Sequence, residues 1–372
     1  MEADYLAQGW KITTKHADAD LIVVRGCSVT GRAQAECERF IEHLKHHYPT
    51  TRLRVCGCLK NESSSLSPTL ARTMVFTPPE SQAVPTRTAR AYLKVQDGCA
   101  GTCTFCLVPK FRGKSRSEGF AVLLDRARRF IEAGYHEIVV TGCNLSLYAS
   151  EGNRLPDLVS ALAELDAGCR IRIGSVEPGA CALETVHAMA EHANVCRFLH
   201  LPIQSGAGSI LLAMRRPYVV KDVEAIVALA SKLMPNIGLG CDLMTGFPGE
   251  SELDFAATRG LLNRMPFSNV HVFPFSERPG TPAAKLPRQL TRGTRSLRAR
   301  ELADLAAAKR VKFAKSFLGK EVEILIENDE SGRGWTGEYL PCKPAVGHYA
   351  RKSLARIVVT KVEDDLLIGR PR

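Results

Sequence analysis

Apolar residues fall along this chain in short runs separated by amphipathic stretches, and the alternation is densest between residues 91 and 275. Short apolar runs bounded by turn signals predict buried strands. Apolar positions recurring every three or four residues predict helices packed by one face. Strands are expected at Ala91–Val95, His136–Thr141, Arg170–Ile173, Cys196–Leu201, Ile237–Met244 and Val270–Phe275. Helices are expected at Glu118–Ala133, closed by Gly134, and near Pro156–Leu165, Leu183–Glu191, Val223–Leu233 and Leu253–Asn263. Strands alternating with helices imply a parallel sheet with right-handed crossovers. Six such units make an α/β fold, an open partial (βα)6 barrel, with its chemistry at the carboxyl ends of the strands.

The pattern differs on either side. Residues 1–76 read as a small N-terminal α/β domain. Its strand Leu21–Val24 ends at Gly26-Cys27, and a helix capped by Thr30 runs to about His46, with Phe40, Ile41 and Leu44 on one face. A second strand, Leu53–Val55, ends at Cys56-Gly57-Cys58. Residues 77–90 continue a Ser-, Thr- and Pro-rich connection and read as a linker. Residues 91–318 form the barrel domain and end in a basic stretch with one long helix. From 319 to 372, Glu321–Glu327, Trp335–Leu340, Ala355–Val362 and Leu366–Ile368 read as strands of a small β-barrel.

Composition narrows the partners. The 372 residues carry a formal net charge of +11, which argues for a polyanion, nucleic acid first. Arg288, Arg292, Arg295, Arg298, Arg300, Lys309, Arg310, Lys312 and Lys315 concentrate that charge. A solvated helix face and an RNA-facing strip explain them equally well. Thirteen cysteines, an odd number without secreted-scaffold spacing, fit a reducing compartment and metal binding, hence a cytoplasmic protein. No signal peptide follows Met1 and no run of 18 apolar residues exists, so no membrane span is expected.

The densest chemistry is Cys99-Ala100-Gly101-Thr102-Cys103-Thr104-Phe105-Cys106, a C-x3-C-x2-C loop after the first barrel strand. Thiolates are soft ligands that select zinc, copper(I) or iron–sulfur centres. A cubane cluster normally takes four cysteines, and no fourth follows at short spacing. One iron is then open to an exogenous ligand; the other reading is a zinc loop with a distant fourth ligand. Cys27 and Cys58 both stand just past strand ends, where ligands gather in parallel sheets, although small buried thiols explain them equally well. His43, His46 and His47 near Cys37 read as a solvated helix end rather than a metal site.

The cysteine loop, with Phe105 before its last cysteine, resembles the radical S-adenosylmethionine (SAM) enzymes. Several further words resemble the methylthiotransferase branch of that family. They are Asp97-Gly98-Cys99, Cys106-Leu107-Val108-Pro109, Arg112-Gly113-Lys114-Ser115-Arg116-Ser117 and His200-Leu201-Pro202-Ile203-Gln204-Ser205-Gly206. Downstream come Met214-Arg215-Arg216-Pro217-Tyr218, Gly246-Phe247-Pro248-Gly249-Glu250 and Arg278-Pro279-Gly280-Thr281. The resemblance runs from about residue 5 to the C-terminus.

It implies an N-terminal domain with a second 4Fe-4S cluster, a central radical SAM domain and a C-terminal RNA-binding TRAM barrel. It implies reductive cleavage of SAM to a 5′-deoxyadenosyl radical, then delivery of a methylated sulfur. By position, Cys99, Cys103 and Cys106 hold the SAM 4Fe-4S cluster. Gly142 and Asn144, in the turn Thr141–Asn144, hold the SAM amino group, and Glu177 meets the ribose hydroxyls. Gln204 and Asp242 are expected at strand ends facing the same mouth. The segment Thr141–Tyr148 looks closest to the branch acting on threonylcarbamoyl-adenosine beside the tRNA anticodon. The expected partners are tRNA and an electron-donor protein, with the enzyme a monomer. Alternatives are methylthiolation of a ribosomal protein and a catalytically incomplete Fe–S RNA-binding paralogue. The second cluster has three cysteines in the family. Cys27 and Cys58 match the second and third, while the first, in a GCxxN word, has no counterpart after Met1. A start recorded too late, or a shortened paralogue without sulfur insertion, is therefore expected; the lesser alternative is that Cys56 stands in as the third ligand.

Overall fold

In the computed structural model, β1 (Leu21–Gly26), α1 (Gly31–His47) and β2 (Arg52–Gly57) form the N-terminal layer. The structure describes residue 5 and residues 8–26, 31–57 and 88–372. The two strands pair in parallel, with Gly26 opposite Gly57. Alternation along them buries Ile22, Val24, Leu53 and Val55, and α1 lays Ile41 and Leu44 on that surface. Burying each of these side chains contributes about 1.5–3 kcal/mol, which fixes the register. Gly57 has φ +93°, and a Cβ there would lie 2.3 Å from the Gly26 carbonyl oxygen, so the strand ends touch only because position 57 is glycine. Cys27 and Cys58 follow these two glycines in the chain and lie outside the described residues. Near the start, Gly9 has φ +85° and the Trp10 N–H returns to the Tyr5 carbonyl at 2.9 Å, a turn of the kind that ends helices.

Contacts divide the chain into two units. One contains Met1–Thr86, Gly98–Lys114 and Ser276–Lys285; the other contains Arg87–Asp97, Ser115–Phe275 and Leu286–Arg372.

The second, larger unit is built on six parallel strands: β3 (Ala91–Asp97), β4 (Glu137–Gly142), β5 (Arg170–Ile173), β6 (Phe198–Gln204), β7 (Gly238–Thr245) and β8 (Asn269–Pro274). β3, β4 and β5 lie side by side, as do β6, β7 and β8. Bridges Ile171–Val195 and Ser175–His200 join the two sets. Helices α2 (Phe120–Glu132), α3 (Leu155–Leu165), α4 (Ala180–Glu191), α5 (Val220–Leu233) and α6 (Glu252–Arg264) separate consecutive strands. The expected open (βα)6 barrel is thus present. β6 runs three residues beyond its expected end, past Pro202, because the β6–β7 register shifts there; a bulge does not need the N–H that proline lacks. The basic stretch forms one helix, α7 (Arg292–Lys315).

Five strands close the C-terminal barrel: β9 (Glu321–Ile326), β10 (Gly334–Thr336), β11 (Pro341–Pro344), β12 (Leu354–Glu363) and β13 (Leu366–Pro371), in the order β9-β10-β11-β13-β12. Val322, Ile324, Leu340, Ile357, Val359 and Leu367 fill it. The single strand expected over Trp335–Leu340 is instead a strand end and a turn. Tyr339 takes φ +65°, and its ring stacks on Trp335 at 4.8 Å. An extended strand would hold rings four residues apart at about 13 Å.

This turn meets the amino ends of the (βα)6 strands through a buried charge cluster. Glu137, fully buried, accepts from Arg172 Nε at 2.7 Å and from Arg170 Nε at 3.0 Å, with Arg90 Nε also at 3.0 Å. Arg170 Nη1 also donates to the Glu323 carbonyl at 3.0 Å, and Arg172 Nη2 donates to the Thr336 carbonyl at 2.9 Å. Burial alone would raise the Glu137 pKa, but Arg172, Arg170 and Arg90 bring it down to about 2.

Candidate active site

The three-cysteine loop is shaped by backbone constraints. Gly98 has φ +71°, and a Cβ there would lie 2.1 Å from the Lys114 carbonyl oxygen. The Cys99 N–H donates to the Gly113 carbonyl at 3.1 Å, which ties the DGC word to the RGK word. The Gly101 N–H points at Cys99 Sγ (3.2 Å) and the Val108 N–H at Cys106 Sγ (3.4 Å). A Cβ on Gly101 would sit 3.2 Å from Cys99 Sγ and 3.8 Å from Cys103 Sγ, so these two sulfurs converge on one spot. The Ala283 N–H donates to the Thr104 carbonyl at 2.8 Å, so the turn after RPGT braces the loop. Converging thiolates that receive backbone N–H bonds suit an iron–sulfur cluster, since such bonds stabilise the sulfur charge. Cys99 shows both features, Cys103 the first and Cys106 the second, and on these grounds the loop fits the group that its spacing implies.

The larger unit carries a polar network at the carboxyl ends of β3–β6. Gln96, buried near the end of β3, donates through Nε2 to Ser115 Oγ at 2.9 Å, and its Oε1 accepts the Asn144 N–H at 2.9 Å. Gly142 allows this approach: a Cβ there would meet Gln96 at 3.1 Å. Asn144 donates from Nδ2 to Glu177 Oε2 at 3.2 Å and accepts the Ser146 N–H on Oδ1 at 3.1 Å. The other Glu177 oxygen meets Arg216 Nη2 at 2.6 Å. Arg216 also donates to the Tyr218 hydroxyl (2.8 Å) and the Pro202 carbonyl (3.2 Å). Gln204 ends β6 with φ +64°, a conformation that non-glycine side chains rarely adopt and that collects at functional sites. Its Nε2 donates to the same Pro202 carbonyl at 3.4 Å, while its buried Oε1 has no hydrogen-bond partner among the described residues.

The structure thus brings Gly142, Asn144 and Glu177 into one network, with Gln204 joined through Pro202. Asp242 is not at a strand end. It lies inside β7, with Oδ1 at 3.4 Å from His200 Nε2 and 3.3 Å from His271 Nδ1. Burial raises its pKa, but the two imidazoles outweigh that and hold it well below the ordinary carboxylate range. Sequence reasoning assigned no role to Gln96, Arg216, Tyr218 or His271. Arg216 and Tyr218 were present in the MRRPY word; nothing in the local pattern marked Gln96. The GFPGE word has a structural role: Glu250 Oε2 accepts the Gly246 N–H at 2.8 Å and holds the buried Arg298 of α7 at 2.6 Å.

Comparison with known proteins supplies the context. Residues 93–262 match the Radical SAM superfamily, and residues 1–75 match the Uncharacterized protein family UPF0004. The chain is 27% identical to the threonylcarbamoyladenosine tRNA methylthiotransferase MtaB of Thermotoga maritima, over 88% of this chain and 83% of that protein. It is 30% identical to the tRNA-2-methylthio-N(6)-dimethylallyladenosine synthase of Mycobacterium ulcerans, over 98% of this chain and 79% of that protein. Among solved structures, it is similar to the radical S-adenosylmethionine methyltransferase TsrM from Kitasatospora setae, determined with cobalamin and a [4Fe-4S] cluster. That match has a TM-score of 0.56 and 14% identity over 72% of this chain and 67% of the other, and it speaks to fold alone.

Proposed function

The chain belongs to the radical SAM methylthiotransferases, enzymes that use a 4Fe-4S cluster and SAM, and we propose that its substrate is N6-threonylcarbamoyladenosine in tRNA. The observation that carries this reading is the likeness to MtaB over 88% of the chain. The wording of Thr141–Tyr148 points the same way. A second reading, dimethylallyladenosine in tRNA, is favoured by the 30% identity to the Mycobacterium ulcerans synthase.

The cluster and SAM supply the one-electron chemistry that activates an inert C–H bond. In the proposed assignment Cys99, Cys103 and Cys106 hold that cluster, and the backbone N–H groups of Gly101 and Val108 moderate the charge on its sulfurs. Gly142 and Asn144 form the turn that receives the SAM amino group. Glu177 is oriented from both sides, by Asn144 at 3.2 Å and Arg216 at 2.6 Å, to accept ribose hydroxyls. Gln204 offers its unpartnered Oε1 as an acceptor. Cys27 and Cys58 are proposed ligands of a second 4Fe-4S cluster, residues 319–372 are the proposed TRAM barrel, and tRNA and an electron-donor protein are the proposed partners. Among the described residues no helix is long and apolar enough to cross a membrane. A cytoplasmic location is proposed from the likeness to tRNA-modifying relatives.

The test is nucleoside analysis of total tRNA from cells lacking the gene. Loss of the methylthio form of threonylcarbamoyladenosine, with accumulation of its unmodified parent, is expected. Loss of methylthio-dimethylallyladenosine instead would select the second reading. Unchanged tRNA would overturn both and direct attention to a protein substrate.

A further inference from the structure

We propose that His200, Asp242 and His271 form a binding site for a divalent first-row transition ion, separate from the cysteine loop. The three residues stand on adjacent parallel strands β6, β7 and β8. One nitrogen of each ring and one carboxylate oxygen lie within 4.8 Å of one another. Both imidazoles address the same atom, Asp242 Oδ1, at 3.4 and 3.3 Å. A charge-assisted N–H···O bond is about 2.7–2.9 Å long, so both contacts are too long for good hydrogen bonds. Two ligands of one ion at about 2.05 Å, subtending a tetrahedral angle, stand roughly 3.3–3.4 Å apart. The two carboxylate–imidazole distances match this second arrangement. His200 is buried, and its Nε2 has no well-aligned hydrogen-bond partner among the described residues although it faces the carboxylate.

The surroundings are built around the imidazole. His200 Nδ1 is 2.8 Å from Ser175 Oγ, which fixes the ring plane. Metal-binding histidines are oriented by such a bond at the other nitrogen. Gly240 is the register partner of His200, and a Cβ there would come 2.6 Å from His200 Cδ2. Only glycine at that position leaves room for the ring. The β6–β7 register shift falls at Asp242 itself, and bulges re-aim side chains in this way. His271 is 62% exposed and Asp242 23%, so the ion would retain positions open to water or to a substrate atom. Two imidazoles and one carboxylate suit zinc, iron(II), cobalt(II) or manganese(II), and disfavour copper(I), which takes soft sulfur ligands.

The test uses the full chain with its iron–sulfur clusters reconstituted, dialysed anaerobically against micromolar Co2+. Cobalt K-edge X-ray absorption reads cobalt alone, so cluster iron does not interfere. About one cobalt per chain is expected, with a nitrogen and oxygen shell and the outer-shell scattering of imidazole. His271→Ala removes a largely exposed ring, and Asp242→Asn keeps the side-chain volume. Each is expected to lower cobalt affinity at least tenfold, with circular dichroism unchanged in His271→Ala. A sulfur shell, no retained cobalt, or the same retention in His271→Ala as in the parent would each overturn the proposal. The three residues would then form a metal-free His–Asp–His ion cluster.

Discussion

Replacing Glu137 by Gln removes one charge from the junction of the two barrels and keeps its shape. Three guanidiniums, those of Arg90, Arg170 and Arg172, converge on this carboxylate. The gap between the ordinary carboxyl value of 4.5 and the value of about 2 in the fold corresponds to about 3 kcal/mol. Breaking a buried ion pair from one side costs about 3–5 kcal/mol, because the orphaned charges stay buried. The two figures agree, so Glu137→Gln is expected to destabilise this unit by about 3 kcal/mol. Trp335 reports on the site, since Arg90 lies over its ring at 5.9 Å. Urea unfolding followed by tryptophan fluorescence in a Trp10→Phe background isolates that signal. The sign with pH is fixed. A depressed carboxyl contributes its full stability above about 4.5 and loses it as pH falls toward about 2. The difference between parent and Glu137→Gln must therefore be constant from neutral pH to about 5 and shrink below that. A difference under about 1 kcal/mol at neutral pH, or one that grows on acidification, would refute the reasoning.

Cys99, Cys103 and Cys106 are assigned to one cluster, so Cys103→Ala should abolish reductive formation of 5′-deoxyadenosine in anaerobically reconstituted protein; retained SAM cleavage would exclude that ligand set. Five of the nine cations of the basic stretch, Arg288, Arg292, Arg300, Lys312 and Lys315, are exposed. If each meets a phosphate, tRNA affinity should fall about 10²–10³-fold between about 50 and 200 mM salt. A flat response would remove the strip from the binding surface.

The order and type of the barrel elements were legible because each strand is an apolar run and each helix carries one apolar face. Arg170–Ile173 was expected and observed with the same ends. The Trp335–Leu340 segment misled because its aromatic residues favour strands locally. Its conformation is decided by tertiary contacts: Tyr339 stacks on Phe198 of the other barrel at 4.7 Å and lies beneath Arg172. Asp242 misled for a different reason. The expected strand Ile237–Met244 already enclosed it, and only the resemblance put it at a strand end. Here a mid-strand carboxylate is tolerated because two histidines from neighbouring strands face it, and cross-strand neighbours are invisible in a local window. Arg216 stands in the segment Met214–Tyr218, yet its role depends on reaching Glu177, 39 positions earlier in the chain.

The basic stretch divides on the same principle. Read as sequence, nine cations between Arg288 and Lys315 form one strip. In the fold, Arg298 is buried against Glu250, and Arg295 Nη1 donates to the Phe275 carbonyl, just past β8, at 3.3 Å. Lys309 Nζ donates to the Asn263 carbonyl at 3.2 Å, and Arg310 pairs with Asp365 at 2.5 Å. These four cations attach α7 to the (βα)6 barrel on one side and to the C-terminal barrel on the other. The planar, five-donor fork of arginine suits such bridging, because it meets a carboxylate and a carbonyl together; Arg310 also donates to the Tyr339 carbonyl at 3.3 Å. Long-range attraction of a polyanion depends on the whole charge of +11, but contact depends only on cations free to reach a phosphate. The surplus read from composition therefore predicts that a polyanion approaches, and the packing of α7 decides how many contacts it can make on arrival.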